Sequence, residues 1–175
     1  MKKLLKYTER LKHLPRTGWL RQGIEIPETV ASHSWQMAMM AMQLSGTLIK
    51  EHYDFNKLIR MCLCHDLGES IIGDVTPHDK QYIHKKDIEQ SAIDCIAEEG
   101  DLPELIILFD EFEQNKTPEA KLAHDLDKLD MFVQSIDYEQ RYEGKDLSEF
   151  RQTAIKTIQT PLGKAILKEI MSNMN

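Results

Sequence analysis

The chain reads as an all-α protein, and three observations point there. Apolar residues recur at three- and four-residue steps along most of its length, rather than in the alternation of a half-buried strand. The runs are separated by helix breakers, at Pro15, Gly68, Gly100, Pro103 and Pro161. With 41% apolar residues over 175 positions, one domain spanning residues 1–175 has enough material to bury roughly two-thirds of its unfolded surface. A single compact helical bundle is the expectation.

Leu4, Leu5 and Leu11 mark a first helix that Pro15 closes. The segment Arg16-Thr-Gly-Trp-Leu-Arg-Gln-Gly23, with Pro27, reads as a loop carrying an indole and two guanidinium groups. A long helix is expected from about Glu28 to Glu51, with His33, Met37, Met40, Ala41 and Leu44 on one inward face. Another, from about Asn56 to Leu67, stripes Leu58, Met61, Cys62 and His65 and ends near Gly68. The stretch from Glu69 to Lys80, with Gly73 and Pro77, reads as a turn-rich loop.

Helical character returns from Lys85 to Glu99 and again from Glu104 to Gln114. Thr117-Pro118-Glu119 is an N-cap followed by proline at the first helical position. It opens a helix of about Pro118 to Tyr142 whose core stripe is Leu122, Leu126, Leu129, Val133 and Ile136, with Asp127 at the edge. From Asp146 onward the tail is helical, broken at Thr160-Pro161.

A net charge of -7 and a pI near 5.5 argue against a nucleic-acid polymer as ligand, because phosphate backbones are gripped by dense Lys and Arg. Cys62, Cys64 and Cys95 lack the spacing of a zinc ribbon or a disulfide framework and read as reduced packing thiols. Lys6, Glu9, Arg10 and Lys12 interrupt the N-terminal apolar run too soon for a signal peptide, and no segment approaches a membrane span. A soluble cytoplasmic protein is expected.

Four residues then stand out as candidate metal ligands: His33, the pair His65-Asp66, and Asp127, with Asp130 the second choice for the last. Two imidazole nitrogens and two carboxylate oxygens suit Mn, Co, Fe or Zn. Room for water and substrate on four protein ligands requires five or six coordination, which favours Mn or Co over closed tetrahedral zinc. In Met61-Cys-Leu-Cys-His-Asp-Leu-Gly-Glu-Ser70 two such groups interrupt an apolar run, and buried polar groups need partners.

This order of ligands on helices resembles the HD-domain superfamily of metal-dependent phosphohydrolases. Arg16-Thr-Gly-Trp19, Pro27-Glu-Thr-Val-Ala-Ser-His33 and His65-Asp-Leu-Gly-Glu-Ser-Ile-Ile-Gly-Asp74 are similar to the branch of bacterial 5'-deoxynucleotidases and their eukaryotic HD-domain relatives, over about Leu4 to Tyr142. The resemblance implies hydrolysis of deoxyribonucleoside 5'-monophosphates to deoxyribonucleoside and phosphate, with one divalent ion per chain, Co or Mn favoured and Mg, Fe or Zn open, in a homodimer.

Glu69 and Asp74 are then the candidate catalytic carboxylates, with the roles of base and acid exchangeable. Arg16 and Lys80 are candidates for the substrate phosphate, and Trp19 for the sugar wall or for ordinary core. The bacterial enzymes carry arginine directly before the tryptophan, where this chain has Gly18, so Arg16 takes that role and Arg21 is the fallback. Two rivals stay open: an HD hydrolase of cyclic nucleotides, deoxynucleoside triphosphates or alarmones, and a non-catalytic, metal-stabilised nucleotide-binding protein.

Overall fold

The structure, a computed structural model, describes residues 2–173, apart from the side chains of Lys2, Gln81 and Tyr82. The described residues form helices and no strand: α1 (Lys2–Leu11), α2 (Thr17–Arg21), α3 (Val30–Gln43), α4 (Ser45–Lys50), α5 (Phe55–Cys64), α6 (Glu69–Ile72), α7 (Lys85–Gly100), α8 (Glu104–Gln114), α9 (Pro118–Arg141), α10 (Ser148–Thr157) and α11 (Pro161–Asn173). A 3-10 turn at Lys80–His84 leads into α7. Among the described residues, no helix is long and apolar enough to cross a membrane.

Three apolar clusters among the described residues hold the bundle together; the third, Trp19, Ile24, Tyr138 and Leu147, seats α2 against the end of α9, and the other two meet at the centre. Met37, Ala41, Leu58, Met61, Leu122, Leu126, Leu129 and Phe132 join α3, α5 and α9, and Ala154, Ile158 and Leu167 bring in the C-terminal segment. Tyr7, Leu11, Val30, Leu67, Ile93, Ile96, Leu105 and Phe109 join α1, α7 and α8 to the start of α3. Each buried Leu, Ile, Phe or Met contributes about 1.5–3 kcal/mol relative to exposure. On α3, His33 falls between Val30 of one cluster and Met37 of the other, and after α5 His65 falls between Met61 and Leu67 in the same way. The polar centre therefore sits at the seam.

Four elements differ from the sequence expectation. The long second helix is interrupted at Leu44, whose ψ of 0 ends α3 before α4 begins; Ser45, Gly46 and Thr47 propagate helix poorly. The Arg16–Gly23 loop contains a helical turn, α2, and the Glu69–Lys80 loop begins with another, α6. On α9, Val133 is 38% exposed and Phe132 takes its place in the core. That helix is packed by α3, α5 and α8 and also by α10 and α11, so its buried face is wider than one stripe.

Asp125 on α9 ties down the C-terminal segment. Its carboxylate accepts hydrogen bonds from the backbone N–H of Gln159 and Thr160, each at 2.8 Å, and from the Thr160 hydroxyl at 2.6 Å. This fixes α11, and with it α10, against α9.

Candidate metal centre and its cavity

Local geometry carries each ligand to the seam. Thr29 caps α3 in a capping box with Ser32, which puts His33 on the first turn, facing inward and fully buried. Beyond α5 the chain continues in tight turns, Leu67 N–H to Cys64 C=O and Glu69 N–H to Asp66 C=O, each at 3.0 Å. Asp66 and Glu69 thereby stay on the same side as His65. A Cβ at Gly68 would stand 3.4 Å from the Glu89 carbonyl, so the small residue lets this turn lie against α7. Gly73 ends α6 at φ +82, a conformation glycine adopts without strain, and turns Asp74 back toward α2.

The histidines show how a cation would be held. His33 Nδ1 lies 2.6 Å from Asp130 Oδ2, and His65 Nδ1 lies 3.0 Å from the Cys62 carbonyl. Those partners leave Nε2 of both rings buried without a hydrogen-bond partner, an expensive condition unless a ligand completes them. The ligating atoms of His33, His65 and Asp127 lie within 4.8 Å of one another. Asp66 stands against this group, its Oδ2 3.1 Å from His65 Nε2 and 3.8 Å from His33 Nε2. Imidazole nitrogens oriented by carboxylate and carbonyl partners behind them are the arrangement that metal-binding histidines use, so the residues present fit a divalent cation.

Electrostatics agree. Burial and the Arg16 guanidinium disfavour a charged His33, yet Asp127 and Asp130 outweigh them and push it up to about 9. Burial alone would raise Asp66 and Asp127, but interactions with their neighbours, chiefly His65 for the former and the Lys128 ammonium for the latter, hold both below the usual carboxylate range. The centre calls for positive charge. Glu69 is driven the other way, well above the carboxylate range, by burial and then by the charges of Asp66 and Asp74. Its Oε2 is buried and has no partner.

A cavity of about 440 Å³ opens onto the centre. Asp66, Asp127, Glu69 and Asp74 line it, as do Arg16, Trp19 and Arg21. Arg16 reaches Asp66 at 3.2 Å and Asp127 at 4.0 Å, whereas Arg21 pairs with Asp79 at 2.7 Å. Asp74 is anchored to α2 by the Thr17 backbone N–H and by the Thr17 hydroxyl, which donates to its carbonyl at 2.9 Å. Trp19 is both wall and core: 2% exposed, it packs against Tyr138 and Phe150 with ring centroids 5.2 and 4.4 Å away.

Lys80 lies elsewhere. It is exposed at the start of the 3-10 turn and is not among the residues lining the cavity, where Lys85 and Lys128 supply the other cations. The turn points Lys80 outward and brings Lys85, at the start of α7, inward. Lys128 follows Asp127 and holds its Oδ2 at 2.8 Å; the sequence reading does not include it, although its adjacency to Asp127 is a signal that could have found it. Asp130, the alternative ligand, stands behind His33. Glu149, Phe150 and Thr153 of α10 complete the wall. The Cys64 thiol, pushed up to about 12 by burial, donates to the Met61 carbonyl and stays out of the centre.

The model of the HD domain family matches residues 8–171. The chain belongs to the HD domain family. The match runs beyond Tyr142 through α10 and most of α11, in keeping with the contribution of α10 to the cavity. Among its relatives, 5'-deoxynucleotidase HDDC2 of Dictyostelium discoideum is 40% identical, over 94% of this chain and 93% of that protein. The 5'-deoxynucleotidase hdd1 of Schizosaccharomyces pombe is 37% identical, over 93% of this chain and 84% of the relative. Among solved structures, a conserved hypothetical protein from Pyrococcus furiosus superposes with a TM-score of 0.84 at 34% identity, covering 99% of this chain and 98% of the other.

Proposed function

We propose that this HD domain is a metal-dependent phosphomonoesterase that hydrolyses deoxyribonucleoside 5'-monophosphates to deoxyribonucleoside and inorganic phosphate. The observation that carries the reading is the pair of buried, partnerless imidazole nitrogens facing Asp127, in a chain whose relatives are 5'-deoxynucleotidases. His33, His65, Asp66 and Asp127 are the residues that would hold the cation. When bound, it supplies positive charge against the phosphate oxygens and makes water a better nucleophile.

The protein's own groups do the rest. Arg16 extends its guanidinium beside Asp66 and Asp127 and orients the phosphate, with Lys85 and Lys128 adding positive charge to the same cavity. Glu69, buried with a free Oε2, and Asp74, past the Gly73 bend, are the two carboxyl groups that carry the proton traffic. The ionised one takes the proton of the attacking water and the protonated one gives its proton to the leaving 5'-oxygen, a donor role that the raised pKa of Glu69 suits. Trp19 walls the sugar and leaves no room for a 2'-hydroxyl.

Finer features accompany this reading: Mn or Co as the ion, one per chain, a cytoplasmic setting, and a homodimer. Trp35, Met39 and Met42 are exposed at i, i+4 and i+7 on α3, an apolar stripe that supports the last. The test is phosphate release from a panel of 5'-monophosphates with Mn or Co added, beside the Asp66→Ala protein. Release favouring deoxyribonucleotides and lost in Asp66→Ala is expected. Equal, negligible release from both proteins would leave a nucleotide-binding module, and turnover confined to cyclic nucleotides or triphosphates would move the substrate class.

A further inference from the structure

The segment Pro27-Glu28 precedes the α3 cap, and the mechanism above gives its carboxylate nothing to do. Glu28 Oε1 accepts the indole N–H of Trp19 at 2.8 Å. Its backbone is fixed from two sides: its N–H donates to the Tyr138 hydroxyl at 2.6 Å, and its carbonyl accepts from the Arg16 N–H at 3.0 Å. The carboxylate also belongs to a cluster with His33 and Asp130, ligating atoms within 4.8 Å of one another. His33 Nδ1 in that cluster is already bonded to Asp130, so the cluster backs the metal centre and is not a second one.

A carboxylate set beside another carboxylate in a half-buried place is costly. Packing alone would be served by leucine. The indole is otherwise packed among Ile24, Tyr138, Leu147 and Phe150, apolar contacts that hold the ring in place but are less directional than a hydrogen bond. The hydrogen bond from Nε1 is directional, and it ties one edge of a ring that lines the cavity to the Glu28 carboxylate.

We propose that Glu28 is the positioning residue for sugar discrimination: by clamping Trp19 through Nε1 it holds the indole where it excludes a 2'-hydroxyl, and through its carbonyl it sets Arg16 at the same time. The proposal rests on Trp19 being the sugar wall, as argued above. Glu28 touches neither substrate nor cation.

The test uses the full chain loaded with Mn and compares kcat/KM for matched deoxy- and ribonucleoside 5'-monophosphates. Glu28→Leu is expected to lower the deoxy-to-ribo ratio at least about tenfold, within the range set by steric and polar discrimination of one hydroxyl. Glu28→Gln, whose amide oxygen still accepts the indole N–H, is expected to keep the ratio near that of the parent. Glu28→Asp, which retains charge but draws the acceptor back by one methylene, is expected to lower it and serves if the leucine variant does not fold.

The 15N indole resonance of Trp19, assigned by its persistence in Trp35→Phe, reports the clamp without turnover. It is expected to shift and exchange faster in the leucine and aspartate variants but not in glutamine. A parental ratio in the leucine and aspartate variants, with Trp19→Ala losing discrimination, would overturn the role of Glu28 and leave the sugar wall standing. A parental ratio in Trp19→Ala would remove the sugar wall and the proposal together, whatever the indole resonance shows.

Discussion

Replacing Gly163 by alanine should destabilise the protein, against the usual gain. In a helix interior the exchange is worth up to about 1 kcal/mol in favour of alanine. At Gly163, however, a Cβ would lie 2.4 Å from Asp125 Oδ2 and 2.9 Å from Asp125 Cβ and Cγ. The short Asp125 side chain is 1% exposed and has nowhere to swing. Moving it weakens the three hydrogen bonds that hold Gln159 and Thr160, each worth about 1.5–3 kcal/mol when one partner is charged. Overpacking adds about 1–3 kcal/mol, and relaxation recovers part of the total. A net loss of about 3 kcal/mol follows, which for a chain of this size lowers Tm by roughly 6–12 °C. Urea unfolding followed by circular dichroism measures it, with Gly46→Ala as the control, since nothing lies within 4 Å of a Cβ there and the ordinary gain applies. An unchanged or raised midpoint for Gly163→Ala would refute the steric argument.

Cation binding should release protons. Because His33 is held at about 9, a cation bound near pH 7.5 displaces close to one proton, and affinity falls as the pH drops below about 9. Calorimetry in buffers of different ionisation enthalpy counts the release, which Asp130→Asn should reduce by removing a group that raises His33; an unchanged count would contradict this. Glu89 is pushed up to about 7, mainly by burial. The native state therefore keeps a proton that the unfolded chain loses near 4.3, so the Glu89 contribution is most favourable below that pH and declines as the pH rises through about 7. With chelator present, Glu89→Gln should gain stability relative to the parent between about pH 5 and pH 8, and parallel curves would oppose the assignment.

The fold was legible where local signals are strong. Thr117-Pro118 opens α9 where expected, α8 spans Glu104–Gln114, and the breakers at Pro15 and Gly100 mark helix ends. The interruption at Leu44 was masked because apolar spacing continues through it, and α2 and α6 are too short for periodicity to register. A single apolar stripe points to Val133, whereas packing of α9 from two sides buries Phe132 instead.

His33, His65, Asp66 and Asp127 stand out in the sequence, and helix packing brings them together. What local sequence does not carry is which distant groups arrive by packing. Lys85 comes in on α7, Phe150 on α10, and Asp130 turns out to stand behind His33, a distinction between adjacent helical turns that only the helix rotation decides. Glu28 was visible within a motif, but its partner Trp19 is set by how α2 folds back onto the start of α3.

One divalent cation should be gripped jointly by side chains from α3, the α5–α6 turn and α9. Crystals grown with Mn and measured for its anomalous signal test it most directly. One strong peak per chain is expected within bonding distance of His33 Nε2, His65 Nε2 and the Asp66 and Asp127 carboxylates. A peak between Glu28 and Asp130 instead, or none at saturating Mn, would contradict it.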